Sequence, residues 1–380
     1  MTAGWLTTPF EDCIEKVTYT AKIQRKDFLD VGEFPIVSQE ESFINGYWND
    51  AADVFSVPSP IVIFGDHTKV FKFVDFDFVL GADGVKLLPP KGFLLPKFFY
   101  YQLQSVNLDS LGYARHYKLL RELELRYPPL PEQQRIVTLL DEAFDGIATA
   151  RANAEQNLQN ARAIFESHLQ SVFTQRGDGW AEKRLADVTT IINGFAFKSG
   201  DFSPHAKVQS IKITNVGVRE FVCESDSLLP SDFLETYASF SIRAGSIVIA
   251  LTRTIISGGL KVAIVPDEFD GALLNQRVAA ILVSPNLLNA EFLFAYLSSQ
   301  YVFDYVKAHV NTLMQPNLSI NDLRAMPIPL PPAIEQERIA DRFEVLKEET
   351  QRLESLYQRK LTALDELKKS LLHQAFSGAL

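Results

Sequence analysis

Six short polar stretches carry the side chains that could act on another molecule. GDHTK sets Asp66, His67, Thr68 and Lys69 side by side behind the apolar run Ile61 to Phe64. GYARHYK brings Arg115, His116, Tyr117 and Lys118 together, and GFAFKS supplies Phe197 and Lys198. Further along come LTRT with Thr252, Arg253 and Thr254, LNQR with Asn275, Gln276 and Arg277, and MQPN with Gln315 and Asn317. Arg and Lys match phosphates and the guanine edge, Asn and Gln match adenine, and Thr fits several bases. This is the vocabulary of duplex reading, with Phe197 as a ring for stacking and Lys198 as a cation for phosphate. Any one such stretch is more simply a solvated loop, so the reading rests on their number.

Motifs for catalysis are missing. An amino-group methyltransferase needs Asn or Asp before Pro-Pro and an aromatic residue, but the Pro-Pro pairs here stand in YPPL, LPPK and LPPA. No glycine-rich loop ends in Lys-Ser or Lys-Thr, and no serine-hydrolase elbow is present. The six histidines are scattered, without HExxH or cysteine partners, so no metal site is expected. The chain reads as one that positions chemistry done elsewhere, and no cofactor is expected on it.

Bulk properties set bounds on this reading. At 380 residues the chain exceeds one core of ordinary size, so at least two globular units are expected. Two distant cysteines, Cys13 and Cys223, cannot make a disulfide framework and point to a reducing, cytoplasmic setting. No signal-peptide pattern opens the sequence, and the longest apolar runs, such as SIVIAL, fall short of a membrane span. The formal net charge of −10 argues against a surface coated in phosphate-binding lysines.

Part of that charge belongs to the elements that must hold the loops. Glu132, Gln133, Arg135 and Ile136 recur as Glu335, Gln336, Arg338 and Ile339 without a gap, and Leu169 and Phe173 recur as Leu372 and Phe376. A Pro-rich entry precedes each copy, RYPPLP and then MPIPLPP, and proline sets an extended approach and a helix start. A run of about forty residues without Pro follows. In the first, Ile136, Leu139, Ala143, Ile147, Ala150, Ala154, Leu158, Ala161, Phe165, Leu169 and Val172 step by threes and fours. In the second, Ile339, Phe343, Leu346, Leu353, Tyr357, Leu364, Leu367, Leu371 and Ala375 do the same. These predict helices roughly 60 Å long. Each stripe could pack on its own domain, but their shared length and entry favour an antiparallel coiled coil. The rods hold 15 Asp plus Glu against 11 Lys plus Arg over 131–175 and 333–376, which draws negative charge away from the loops.

The segments before the rods read as mixed α and β. Strands are expected at Ile61 to Phe64, Val70 to Val74, Gln209 to Ile213 and Ser246 to Leu251, and helices at Pro96 to Leu103 and Ala290 to Leu297. The expected plan is domain 1–125, rod 126–177, domain 178–330, rod 331–380, an α+β chain with a pseudo-two-fold internal repeat. The residues alone also leave open a coiled-coil scaffold without a DNA role and an enzyme fused to a reader.

PPLPEQQRIV and PLPPAIEQERIA, each opening a long helix that closes in Leu and then Phe, together with GDHT, NQR and QPN, resemble the specificity subunit of Type I restriction-modification systems. The resemblance covers essentially the whole chain. It implies two target recognition domains, each reading half of a split site in double-stranded DNA and held apart by the helices. It implies partners: two methyltransferase subunits that use S-adenosylmethionine, and restriction subunits that use ATP and Mg. A related methylation-only system, without the nuclease, is the neighbouring alternative. Glu132, Gln133, Arg135, Glu335, Gln336 and Arg338 fall in the motif and are expected to be structural or partner-binding.

Overall fold

The computed structural model describes residues 4–82, 84–109, 112, 114–177, 179–224, 228–310 and 317–377. They form two compact units, residues 1–155 with 358–380 and residues 156–357, so each unit holds part of both long helices. The helices run Leu130–Thr174 and Ala333–Ser377, 45 residues each, and they start and stop at the offset that pairs Glu132 with Glu335. At 1.5 Å per residue each extends about 68 Å.

The first unit is built on an antiparallel sheet whose central strand, Ile61–Gly65, lies between Phe71–Val74 and Val85–Leu88. All five residues of the central strand are buried, as an unbroken apolar run requires. A second sheet has Phe78–Gly81 parallel to both Lys22–Ile23 and Phe34–Val37. Helix Pro96–Ser105, opened by its proline, buries Phe98 and Phe99, and Phe10 stacks on Phe99 at 6.2 Å. Strand Leu6–Pro9 pairs with Glu124–Tyr127, which leads into the first long helix.

The second unit repeats this plan with variations. Its central strand Ile247–Ala250 lies between Val262–Ile264 and Val278–Val283, and Thr189–Asn193 adds a fourth strand. Ser210–Ile211 runs parallel to Ala272–Leu274, as Phe34–Val37 does to Phe78–Gly81. Ala181–Arg184 pairs with Pro327–Leu330, the counterpart of the pairing at the first helix entry. Helix Ala290–Leu297 has the predicted bounds, with Asn289 accepting from Phe292 N–H as N-cap.

The long helices pack antiparallel in both units. In the first, Ile136, Val137 and Leu140 share a core with Leu372 and Ala375, and Arg151 meets Asp365 at 2.5 Å. In the second, Phe165 lies 5.3 Å from Phe343, Leu169 and Ile339 share a core, and Arg162 meets Glu354 at 2.7 Å. The reading in which each stripe packs only on its own domain is therefore set aside. Two positions leave the predicted stripe: Leu139 and Leu367 are 41% and 46% exposed, while Leu140 and Leu361 are buried in their neighbourhood. At Leu140 the stripe drifts by one position because 3.6 residues per turn does not match a strict three-four step. Leu372→Ala is expected to cost the first unit about 2–4 kcal/mol, read as a lowered denaturant midpoint, because Leu372 is 5% exposed.

Candidate nucleic-acid interface

In the second unit the ladder gathers sequence-distant polar stretches at one end of the four-stranded sheet. The central strand ends at Ala250 opposite Val278, so LTRT and LNQR emerge together, and Leu251 N–H donates to Arg277 carbonyl at 2.9 Å. Thr252 forms a bridge with Asn317, and Leu318 N–H donates to Leu251 carbonyl at 2.9 Å. GFAFKS joins them through Phe195, which bridges Asn275 and whose carbonyl accepts from Gln276 N–H at 2.9 Å. Gly194 passes so close to the Asn275 carbonyl that a Cβ there would collide with it.

Lys198, Arg253, Gln276, Arg277 and Asn317 are exposed at this end, with Thr252 and Asn275 half-buried. Arg253 holds a left-handed backbone, φ 49°. That strain in a non-glycine residue is sustained only where its surroundings impose it. Among the described residues the side chains of Lys198, Arg253 and Arg277 are in no ion pair, and the Asp201 carboxylate accepts from the Lys198 N–H at 2.8 Å.

Two predicted contacts in this unit are corrected. Phe197 is 7% exposed and belongs to an aromatic cluster with Phe195, Phe202, Phe233 and Tyr237, so its ring is core and cannot stack on a base. Thr254 is fully buried and cannot reach a groove. Gln315 lies outside the described residues.

In the first unit the two polar stretches meet through Asp66. Asp66 is 2% exposed; its carboxylate accepts from Tyr117 N–H at 2.7 Å and its carbonyl from His116 N–H at 2.8 Å. His116 is 1% exposed, with Nδ1 2.9 Å from the same carbonyl. Both are therefore staples rather than contacts, as buried polar groups must be satisfied inside. Tyr117 is half-buried, edge-on to Phe10, and burial raises its phenol pKa.

Of the rest, Thr68 donates to the Gln39 carbonyl at 2.5 Å, and Lys69, at φ 62°, reaches the Leu108 carbonyl at 3.3 Å. His67 is half-buried, its N–H donating to Gln39 Oε1 at 3.2 Å. Arg115 and Lys118 are exposed, with no carboxylate partner among the described residues.

The motif at the helix entries resolves into two functions. Glu132 pairs with Arg135, and Glu335 with Arg338, one turn apart on the helix surface, and Glu335 also accepts from Trp180 Nε1 at 3.1 Å. Exposed pairs of this kind add little stability. Gln133 and Gln336 are buried, 0% and 3% exposed. Gln133 Oε1 accepts from Leu95 N–H at 2.8 Å, and Nε2 donates to the carbonyls of Phe93 at 2.8 Å and Pro128 at 2.9 Å. Gln336 does the same with Asn289 N–H at 2.8 Å and the carbonyls of Leu287 at 3.2 Å and Pro331 at 3.0 Å. Each glutamine ties a long helix to the start of a domain helix.

Sequence reasoning missed the buried Lys72 and the half-buried Lys261, and the loops they reach. The signal at Lys72 was present: in the alternating strand FKFV it shares the buried face with Val74.

The fold thus defines a class, an internally duplicated chain of two mixed α/β domains joined to paired antiparallel helices. The family model described as "Type I restriction modification DNA specificity domain" matches residues 4–159 and 177–362, and the chain belongs to that family. It is similar to the Type I restriction enzyme MjaVIII specificity subunit of Methanocaldococcus jannaschii, 28% identical over 275 residues, which span 69% of this chain and 63% of that one. The Type I restriction enzyme EcoR124I/EcoR124II specificity subunit of Escherichia coli is 24% identical over 344 residues, 85% of this chain and 82% of that one.

Two solved structures share the fold. One, from work on assembly and conformational transition of the type I R-M system, has TM-score 0.74 at 17% identity and covers 100% of this chain and 99% of its own. The HsdS subunit from Thermoanaerobacter tengcongensis has TM-score 0.55 at 17% identity, covering 100% and 98%. The resemblance read from the two Pro-Leu-Pro entries is borne out.

Among the described residues no helix is long and apolar enough to cross a membrane. Nor does any group of three or more His, Cys, Asp or Glu among them suit a metal ion.

Proposed function

We propose that the chain is the DNA-reading subunit of a Type I restriction-modification complex, working in the cytoplasm. Each domain reads one half of a split site in double-stranded DNA, and the long helices set the unread gap. The observation that carries this reading is that the stretches bearing the exposed cations Lys198, Arg253 and Arg277 are brought to one sheet end together with Gln276 and Asn317. In a chain of net charge −10, exposed cations at one sheet end whose side chains are in no ion pair among the described residues suit a polyanion. Arg115 and Lys118 offer the first domain a smaller set.

The chain contributes binding and placement. Phosphate contacts would fix each domain on the duplex, and base-edge contacts in the major groove would select sequence. Adenine methylation belongs to two methyltransferase subunits carrying S-adenosylmethionine, and translocation and cleavage to restriction subunits using ATP and Mg. No step is assigned to a side chain of this chain.

Helix length is the direct test of spacing. Removing seven residues, about two turns, at matching places in both long helices shortens them by about 10 Å, roughly three base-pair steps. Mapping methylated adenine in cells carrying the shortened chain is expected to show a shorter gap between unchanged half-sites. Altered half-sites with an unchanged gap would refute the reading.

A further inference from the structure

Two lysines, one buried and one half-buried, stand at corresponding places in the two units. Lys72 pairs across from Ile63 in the strand beside the first central strand and is 3% exposed. Its ammonium donates to the carbonyls of Ser38 at 2.9 Å, Ser42 at 2.5 Å and Phe43 at 3.4 Å, and to Asn45 Oδ1 at 3.3 Å. These acceptors form the loop leaving strand Phe34–Val37. Lys261, half-buried, immediately precedes strand Val262–Ile264 beside the second central strand, and its carbonyl accepts from Ala250 N–H at 3.1 Å. Its ammonium donates to the Ile213 carbonyl at 2.6 Å, in the loop leaving Ser210–Ile211.

The two loops correspond. Each follows a strand that runs parallel to the one preceding the last strand of the antiparallel sheet. Each is closed by an asparagine: Asn45 Oδ1 accepts from Ser38 N–H at 2.9 Å, and Asn215 Oδ1 accepts from Lys212 N–H at 2.9 Å. Burial pushes both ammonium groups below the ordinary lysine value, Lys72 to about 8. A cation is kept inside only where acceptors replace its water: the buried Lys72 has three carbonyls and the Asn45 amide oxygen of one loop, and the half-buried Lys261 has one loop carbonyl.

Both loops border the polar ends already described. Gln39 holds His67 and Thr68, and the Ile211 carbonyl accepts from Asn275 N–H at 3.0 Å. Their tips present groups suited to base edges: Glu41 and Ser42 in the first and Thr214 in the second are exposed. A glutamate accepts from the cytosine amino group, and hydroxyls fit several bases.

We propose that loops 38–45 and 212–215 are a matched pair of base-reading loops, held at working height by Lys72 and Lys261, which act as positioning residues and touch no DNA. This rests on the DNA-reading function above.

The test maps methylated adenine in cells carrying the full complex with wild-type chain, K72M, K261M, and the exposed tip variants E41A and T214A. K72M and E41A are expected to relax base preference in one half-site only, and K261M and T214A in the other only, with the gap unchanged. Methylation at sites with one wrong base should rise at least about tenfold in the affected half. Lysines with a merely structural function would lower methylation equally at all sites, and that outcome would overturn the proposal. The tip variants keep the test informative if a lysine variant fails to fold, and unchanged half-sites in both would also overturn it. In those outcomes a bipartite wild-type motif still stands; a wild-type map without one overturns the underlying reading as well.

Discussion

Gln133→Ala is expected to destabilise the first unit by about 3–5 kcal/mol, and Gln336→Ala the second by a similar amount. Each substitution deletes one acceptor and two donor contacts inside the protein, leaving an N–H and two carbonyls without their partner. An orphaned buried polar group costs about 1–3 kcal/mol, and at each site one of the three lost bonds is buried and two are partly buried. Hydrogen exchange resolved by segment is the measurement. Q133A should lose protection around Phe93 to Leu103 and the start of the first long helix, while residues 181–330 keep theirs. Glutamate is no better a replacement, because it cannot donate to the two carbonyls. Gln134→Ala, one residue along on the exposed face, should change nothing.

The second large effect lies at the sheet end of the second unit. Replacing both Arg253 and Arg277 by alanine is expected to weaken DNA binding of the assembled complex about a hundredfold or more. It should also flatten the plot of log affinity against log salt by about 2 if both residues meet phosphates. If one reads a guanine edge instead, the slope falls by about 1 and one position of the half-site loses its preference. Lys369→Ala, an exposed cation on the second long helix, serves as the control and should leave affinity unchanged. Equal weakening by Lys369→Ala would mean that net charge, rather than these two side chains, governs binding.

Much of the scaffold could be read from the chain because its signals are local. The Pro-rich entries and the three-four stripe placed both long helices, and the no-gap pairing of Glu132 with Glu335 anticipated that they share one length. Strand Ile61 to Phe64 and helix Ala290 to Leu297 were legible for the same reason, an apolar run of the right length between turn residues. The site was legible only as a set of residue types. That LTRT, LNQR, GFAFKS and Asn317 share one sheet end follows from antiparallel pairing across tens of residues, which no local pattern encodes.

Burial was the other blind point. Asp66 and His116 look like surface polar groups in a string of polar letters, yet the Asp66 carboxylate accepts from the Tyr117 N–H and the His116 ring lies against the Asp66 carbonyl. Phe197 differs from a stacking ring only by the Phe233 and Tyr237 that cover it from a distant segment. The buried amides of Gln133 and Gln336 sit in the most recognisable motif of the chain. Repetition flagged them, but only their backbone partners reveal that they are ties rather than contacts.

The measurement that bears most directly on the whole account is a genome-wide map of methylated adenine in cells with and without this chain, its methyltransferase partner being present in both. The account predicts a chain-dependent motif of two short half-sites separated by a fixed stretch of any sequence. A continuous motif, or methylation that persists unchanged without the chain, would contradict it.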